Sequence, residues 1–151
     1  MKKLFLFIAL ALLLSNFTPA GASNDKGKDK ALETIGTISG IALYNTYIAI
    51  GGVADAYAKE VYESDYIVQL MDEQVASLNG LQDKYNELLK SGFLTDKSDI
   101  DYIKEIIKAF GYLSDEAEGL SEMAKKGDNT LFSKSRTKAW DKISDLLGFE
   151  D

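Results

Sequence analysis

The stretch LYNTYIAIGGVADAYAKEVYESDYIVQLMDEQVASLNGLQDKYNELL, residues 43–89, decides the fold. Its apolar positions are Leu43, Tyr47, Ile50, Ala54, Tyr57, Val61, Val68, Met71, Val75, Leu78, Tyr85 and Leu89, and only Ser64 and Gln82 interrupt an alternation of four and three. That alternation keeps side chains on one helical face, as in a coiled coil. Continuous helix over this span would make a rod on the order of 70 Å, at about 1.5 Å per residue. A seam of that length must be buried, so the chain is expected to be all-α.

Working outward, one long helix is expected from Ala31 to Lys90, or two nearly collinear ones joined at Gly51-Gly52. The last Pro is Pro19, so no later proline forces a break. Ser91-Gly92-Phe93 reads as the helix end, with Gly92 in the left-handed C′ conformation and Phe93 folded back on Leu88. A second helix follows, capped by Ser98 or Thr95, with Asp99 and Asp101 at its positive end and Lys125 and Lys126 at its negative end. Its seam is Ile103, Ile106, Phe110, Leu113, Ala117, Leu120 and Ala124, and Gly127 closes it. A third helix is expected from Thr130 to Leu147, with Phe132, Ala139, Trp140, Ile143, Leu146 and Leu147 as its apolar face and Gly148-Phe149 at its end.

A connection of about six residues favours antiparallel neighbours. A turn centred near residue 93 or 94 makes facing positions sum to about 187, pairing Ile103 with Tyr85, Ile106 with Leu81 and Phe110 with Leu78. The second and third helices, about 40 and 27 Å long, together match the 70 Å rod. The third helix is therefore expected to run back along the first, setting Trp140 near Tyr47, Gly51 and Ala54. The expected fold is a long antiparallel helical hairpin, coiled-coil-like, completed by a short third C-terminal helix. A compact alternative lays the third helix beside the hairpin and leaves Leu43 to Tyr57 exposed.

Residues 1–22 read as an export signal: Lys2 and Lys3, the apolar centre Leu4 to Leu14, then Ala20-Gly21-Ala22 as the cleavage site. The competing reading, a retained anchor, needs roughly 20 strongly apolar residues, and this centre has 11. Export to the periplasm or beyond is expected, with residues 23–30 a flexible charged lead-in and 31–151 a single helical domain. Without residues 1–22 the chain carries 15 basic and 24 acidic side chains, net −9. That balance argues against nucleic acid and anionic lipid as general partners. Cys and His are absent from the whole chain. No thiol or imidazole is therefore available for catalysis, zinc, disulfides or lipid attachment, and neither a cofactor nor enzymatic activity is expected.

Thr34 to Ala54 carries no charge for 21 residues and contains Gly36-x-x-x-Gly40, which admits a close neighbour. The stretch is expected to lie buried against the third helix or a second subunit; bilayer insertion is the alternative. Tyr62, Tyr66 and Leu70 lie off the main seam, to be covered by Phe132 or Trp140 of the third helix or else offered to a protein partner. Lys125, Lys126, Lys134, Arg136, Lys138 and Lys142, with Asp128 and Asp141 among them, give a local net charge of +4 suited to an anionic partner. Arg136 stands four residues before Trp140, near enough to lie over the indole. Tyr62, Tyr66, Leu70, Arg136 and Trp140 are thus the candidate partner contacts.

The acids Asp96, Asp99 and Asp101 read as helix-capping groups, since an EF-hand's turn glycine and bidentate glutamate are missing. Asp115, Glu116, Glu118 and Glu122 are expected mostly on the polar side of the second helix, where acid/base work would require burial. The chain is expected to be an exported, non-enzymatic interaction or scaffolding protein, with protein binding or self-association as its mode. Membrane activity through residues 34–54 is the alternative.

Overall fold

The computed structural model describes residues 26–149. The expected signal segment lies outside them. The described residues form four α-helices and no strand: α1 (Lys26–Ala58), α2 (Ser64–Lys90), α3 (Lys97–Lys126) and α4 (Thr130–Leu147). The long first helix of the sequence reading is therefore two helices. The charged lead-in is already helical from Lys26.

The chain turns at Lys59–Glu63, while Gly51 and Gly52 continue α1 without a break. Val61 N–H donates to Ala56 O and Glu60 N–H to Tyr57 O, the bond pattern of a Schellman motif with Glu60 at C′. Glu60 has φ +57° there, the only non-glycine described residue with positive φ. A left-handed L-residue other than glycine costs about 1–2 kcal/mol, which the packing that follows must outweigh. Val61, assigned to the seam by its spacing, is 63% exposed at the turn.

After the turn the chain doubles back. Lys28 Nζ at the start of α1 meets Asp96 and Asp99 at the start of α3, and Tyr57 OH near its end reaches Ala124 O at the other end of α3. α1 and α3 therefore run parallel. Ser121 Oγ donates to Asp72 Oδ1 at 3.3 Å and Phe110 meets Tyr85, so α2 runs antiparallel to α3. α4 returns antiparallel as well, with Arg136 beside Glu116 and Lys142 beside Glu105. The result is an up-down-up-down helical bundle in place of an extended rod.

Contact with neighbours on several sides explains why α3 carries most of the core. Ile103, Ile106, Ala109, Phe110, Leu113, Ala117 and Leu120 are buried, joined by Leu43 and Ile50 of α1, Ile67, Met71 and Leu78 of α2, and Ala139 and Ile143 of α4. α1 lies mainly on α3 and α4 and touches α2 lightly. One α1–α2 contact is the 2.5 Å hydrogen bond between Ser39 Oγ and Tyr85 OH. Gly119 lets α4 approach closely: a Cβ there would lie 2.8 Å from the Phe132 Cα. Gly36 instead receives a side chain, the Tyr102 ring.

The α2–α3 register departs from the expected sum of 187. Tyr85 packs on Phe110, with ring centroids 5.7 Å apart, and Ser121 and Ser114 hydrogen-bond Asp72 and Asn79, giving sums of 193–195. Leu81, the expected partner of Ile106, is instead 39% exposed. The displacement corresponds to about 9 Å along the axis. Its cause is the connection: Gly92 is left-handed and Leu94, not Phe93, enters the core. The first two turns of α3 thus overhang the end of α2 and pack on α1 through Tyr102. Asp96 is the N-cap residue, without a side-chain capping bond, in place of Ser98 or Thr95. The acids here serve Lys28: Asp96 lies 3.3 Å and buried Asp99 3.6 Å from its Nζ, and Thr95 Oγ1 accepts its hydrogen bond. The far ends follow expectation, with Gly127 and Gly148 left-handed just past α3 and α4.

Candidate functional site

α1 is two-faced. At about 100° per residue, Leu43, Ile50 and Ala54 face inward and are buried, while Ile38, Ile41 and Ile48 fall on the opposite side, 60%, 40% and 50% exposed. Thr34, Asn45, Ala49 and Gly52 are exposed with them. The 21-residue uncharged stretch is thus only half absorbed by the bundle, and its outer half is a stripe of isoleucines and small residues open to solvent. Gly52 lies on that stripe, and a Cβ added to it would meet nothing within 4 Å. A helix-interior glycine costs about 1 kcal/mol relative to alanine, with no intramolecular contact here to require it. A helix of 33 residues with mean hydropathy 1.2 over its most apolar window is long and apolar enough to cross a membrane.

A second centre lies under α1. Glu116, expected on the polar side of its helix, is fully buried. Its Oε1 accepts a 2.5 Å hydrogen bond from Arg136 Nη1, while Oε2 has no hydrogen-bond partner among the described residues. Burial pushes the carboxyl up to about 7, against the pull of the Arg136 charge. Arg136 Nη1 also donates to Tyr47 O, and the guanidinium lies 4.0 Å over the Tyr47 ring. The cation thus rides on Tyr47, not on Trp140. Gly51 makes room for it, since a Cβ there would sit 2.4 Å from Nη2. A cleft of about 290 Å³ opens alongside, lined by Ile48, Gly51, Gly52, Ala54, Asp55, Phe132 and Arg136.

Trp140 lies where the sequence sets it, 5.2 Å from the Tyr47 ring, although α1 reaches that place by folding back. It also stacks on Phe149 at 5.9 Å, and Phe149 meets Tyr44 edge-on. Arg136 and Trp140 are therefore engaged within the fold. Tyr62 and Tyr66 sit at the α1–α2 turn, 41% and 50% exposed, with ring centroids 5.0 Å apart. α4 does not cover them: Phe132 lies against Gly119 and Trp140 against Tyr47. Leu70 is half-buried against the core. The five candidate contacts therefore do not form one site.

The basic concentration is largely neutralised. Lys125 and Lys126 pair with Glu122, Arg136 with Glu116, and Lys142 with Glu105 and Asp145. Lys134 and Lys138 stay exposed. Among the described residues, no group of three or more acidic side chains is placed to hold a metal ion. Sequence reasoning marked residues 34–54 but missed which residues face outward, although the helical period already sets Ile38, Ile41 and Ile48 opposite Leu43, Ile50 and Ala54. The chain matches no family model, no curated protein and no solved structure.

Proposed function

We propose that this chain is an exported, non-enzymatic helical interaction or scaffolding protein that docks through the outer face of α1. The α2–α3 hairpin, with α4 laid along it, is the frame that holds this face rigid. The carrying observation is the row of Ile38, Ile41 and Ile48, exposed side by side on a face without charge from Thr34 to Ala54. Contiguous exposed apolar surface of this kind marks interaction sites on soluble proteins. The buried Glu116 does not favour an enzyme: at 0% exposure it is closed to a substrate, and the chain has no His or Cys to act beside it.

The test is photo-crosslinking from the face itself. Benzoylphenylalanine replacing Ile48, in the producing cells, should give a discrete heavier product that is absent when replacing buried Ile143. No product from position 48 would end the docking reading.

A second reading is favoured by the hydropathy of α1, of whose most apolar window only 33% is buried: the helix inserts into a bilayer. Salt-resistant flotation with neutral vesicles, abolished by Ile48→Asp, would establish it in place of protein docking.

A further inference from the structure

The occupant of the α1 face can be read from its symmetry, given the docking role proposed above. Along the outer side of α1 stand Lys30, Thr34, Ile38, Ile41, Asn45, Ile48 and Gly52, with Lys59 and Glu60 just past the helix end. The apolar and small positions are complementary about Asn45. Ile38 and Gly52 lie seven residues to either side, and Ile41 and Ile48 four before and three after. We propose that a second copy of this chain covers the face, the two α1 helices lying antiparallel about a two-fold axis through Asn45.

A two-fold contact must be self-complementary, and this one is. Ile41 meets the second copy's Ile48, and Ile38 enters the open place above the second copy's Gly52, where nothing of the chain itself lies within 4 Å of an added Cβ. Here Gly52 acquires the role that the isolated bundle does not give it. Asn45 faces its own symmetry mate, where two amides can exchange donor and acceptor and fix the register. At each end Lys30, already paired with Glu33, comes beside the second copy's turn, where exposed Lys59 and Glu60 stand together. The antiparallel sense also sets each helix's positive end beside the other's negative end.

Charge selects this occupant over others. An acidic chain, net −7 over all 151 residues, repels its own copies except where a face is uncharged. The α1 stripe is such a face. A bilayer suits it less, because exposed Asp55 and Glu60 border the stripe along with Lys30 and Lys59, so the flanking charge is mixed and not predominantly basic.

The experiment uses the protein purified after expression from its full coding sequence. Sedimentation equilibrium should show a dimer, and the double change Ile41→Asp with Ile48→Asp should weaken association about 100-fold. Both side chains are exposed in the monomer, so thermal unfolding of the diluted double variant should match wild type. The chain lacks Cys, so introduced thiols report cleanly. Asn45→Cys should oxidise to a covalent dimer, whereas two Gly52→Cys thiols would lie about 20 Å apart and stay reduced. A monomeric wild type, or a Gly52→Cys disulfide formed as readily as the Asn45→Cys one, would overturn the proposal. The photo-crosslink separates the two claims. A product at twice the chain mass supports the second copy, a product of another mass overturns it while keeping the docking face, and no product removes both.

Discussion

Glu116 sets the pH response of the fold. In the folded protein its carboxyl holds a proton up to about pH 7, whereas the unfolded carboxyl releases it near the ordinary 4.5. Between those values the native state binds more protons than the unfolded state, so stability falls as pH rises from 4.5 through 7. The change is on the order of 2–3 kcal/mol. Carboxylates with lowered values, Asp101, Glu105, Glu122 and Asp128, titrate below this window and do not mask it. Melting followed by circular dichroism should give a lower midpoint at pH 8 than at pH 5, and Glu116→Gln should flatten that slope. An unchanged slope in the variant would mean that another group carries it. Gly51 belongs to the same centre. Gly51→Ala would improve helix propensity but set a methyl against the Arg136 guanidinium, the flexible end of that side chain, which must swing away from Glu116. Removing one partner of a buried pair outright costs about 3–5 kcal/mol, so Arg136→Ala should melt well below wild type and Gly51→Ala between the two. Gly80→Ala, where nothing lies within 4 Å of the new Cβ, should instead gain up to about 1 kcal/mol.

At the scale of the elements, helix existence was legible and the α1–α2 boundary was not. α4 spans Thr130–Leu147 as the sequence indicates, because an amphipathic period and a closing glycine coincide there. The α1–α2 turn has no such mark. Lys59 to Glu63 contains neither Gly nor Pro, and the spacing of four and three carries on through it with only Ser64 as a polar member. What breaks the helix is tertiary: a straight α1–α2 would forgo the contacts of Leu43, Ile50 and Ala54 with the rest of the core. Local strain at Glu60 is tolerated because that burial exceeds it. Glu116 was illegible for a related reason, since a helix contacted on several sides buries positions that a two-helix seam leaves in water. Glu60→Gly should therefore stabilise the fold by about 1 kcal/mol, by relieving the left-handed strain at its C′ position. An increase of a few degrees in melting temperature checks it; a decrease would mean that Glu60 adopts another conformation.

At the scale of the whole molecule, the difference between a rod and a bundle is a difference in register and return path, and both can be measured. Phe110 sits at the centre of α3, 1% exposed and against Tyr85. Its truncation to Ala should cost about 3–5 kcal/mol in either arrangement, so stability loss alone would not separate them. Geometry does. In the bundle Asp72 hydrogen-bonds Ser121, a sum of 193, whereas a turn centred at 93 or 94 would set Tyr85 against Ile103. The double variant Asp72→Cys with Ser121→Cys should therefore close an intramolecular disulfide on mild oxidation, and Tyr85→Cys with Ile103→Cys should stay reduced, since a displacement of about 9 Å exceeds disulfide reach. A zero-length crosslink tests the return path: Lys28 Nζ lies 3.3 Å from Asp96 Oδ2, so carbodiimide coupling should join the two residues. A straight helix from Ala31 to Lys90 would hold them about 90 Å apart, too far to couple. Ready oxidation of the first cysteine pair but not the second, with Lys28–Asp96 coupling, requires the folded-back bundle, and the reverse pattern would restore the rod.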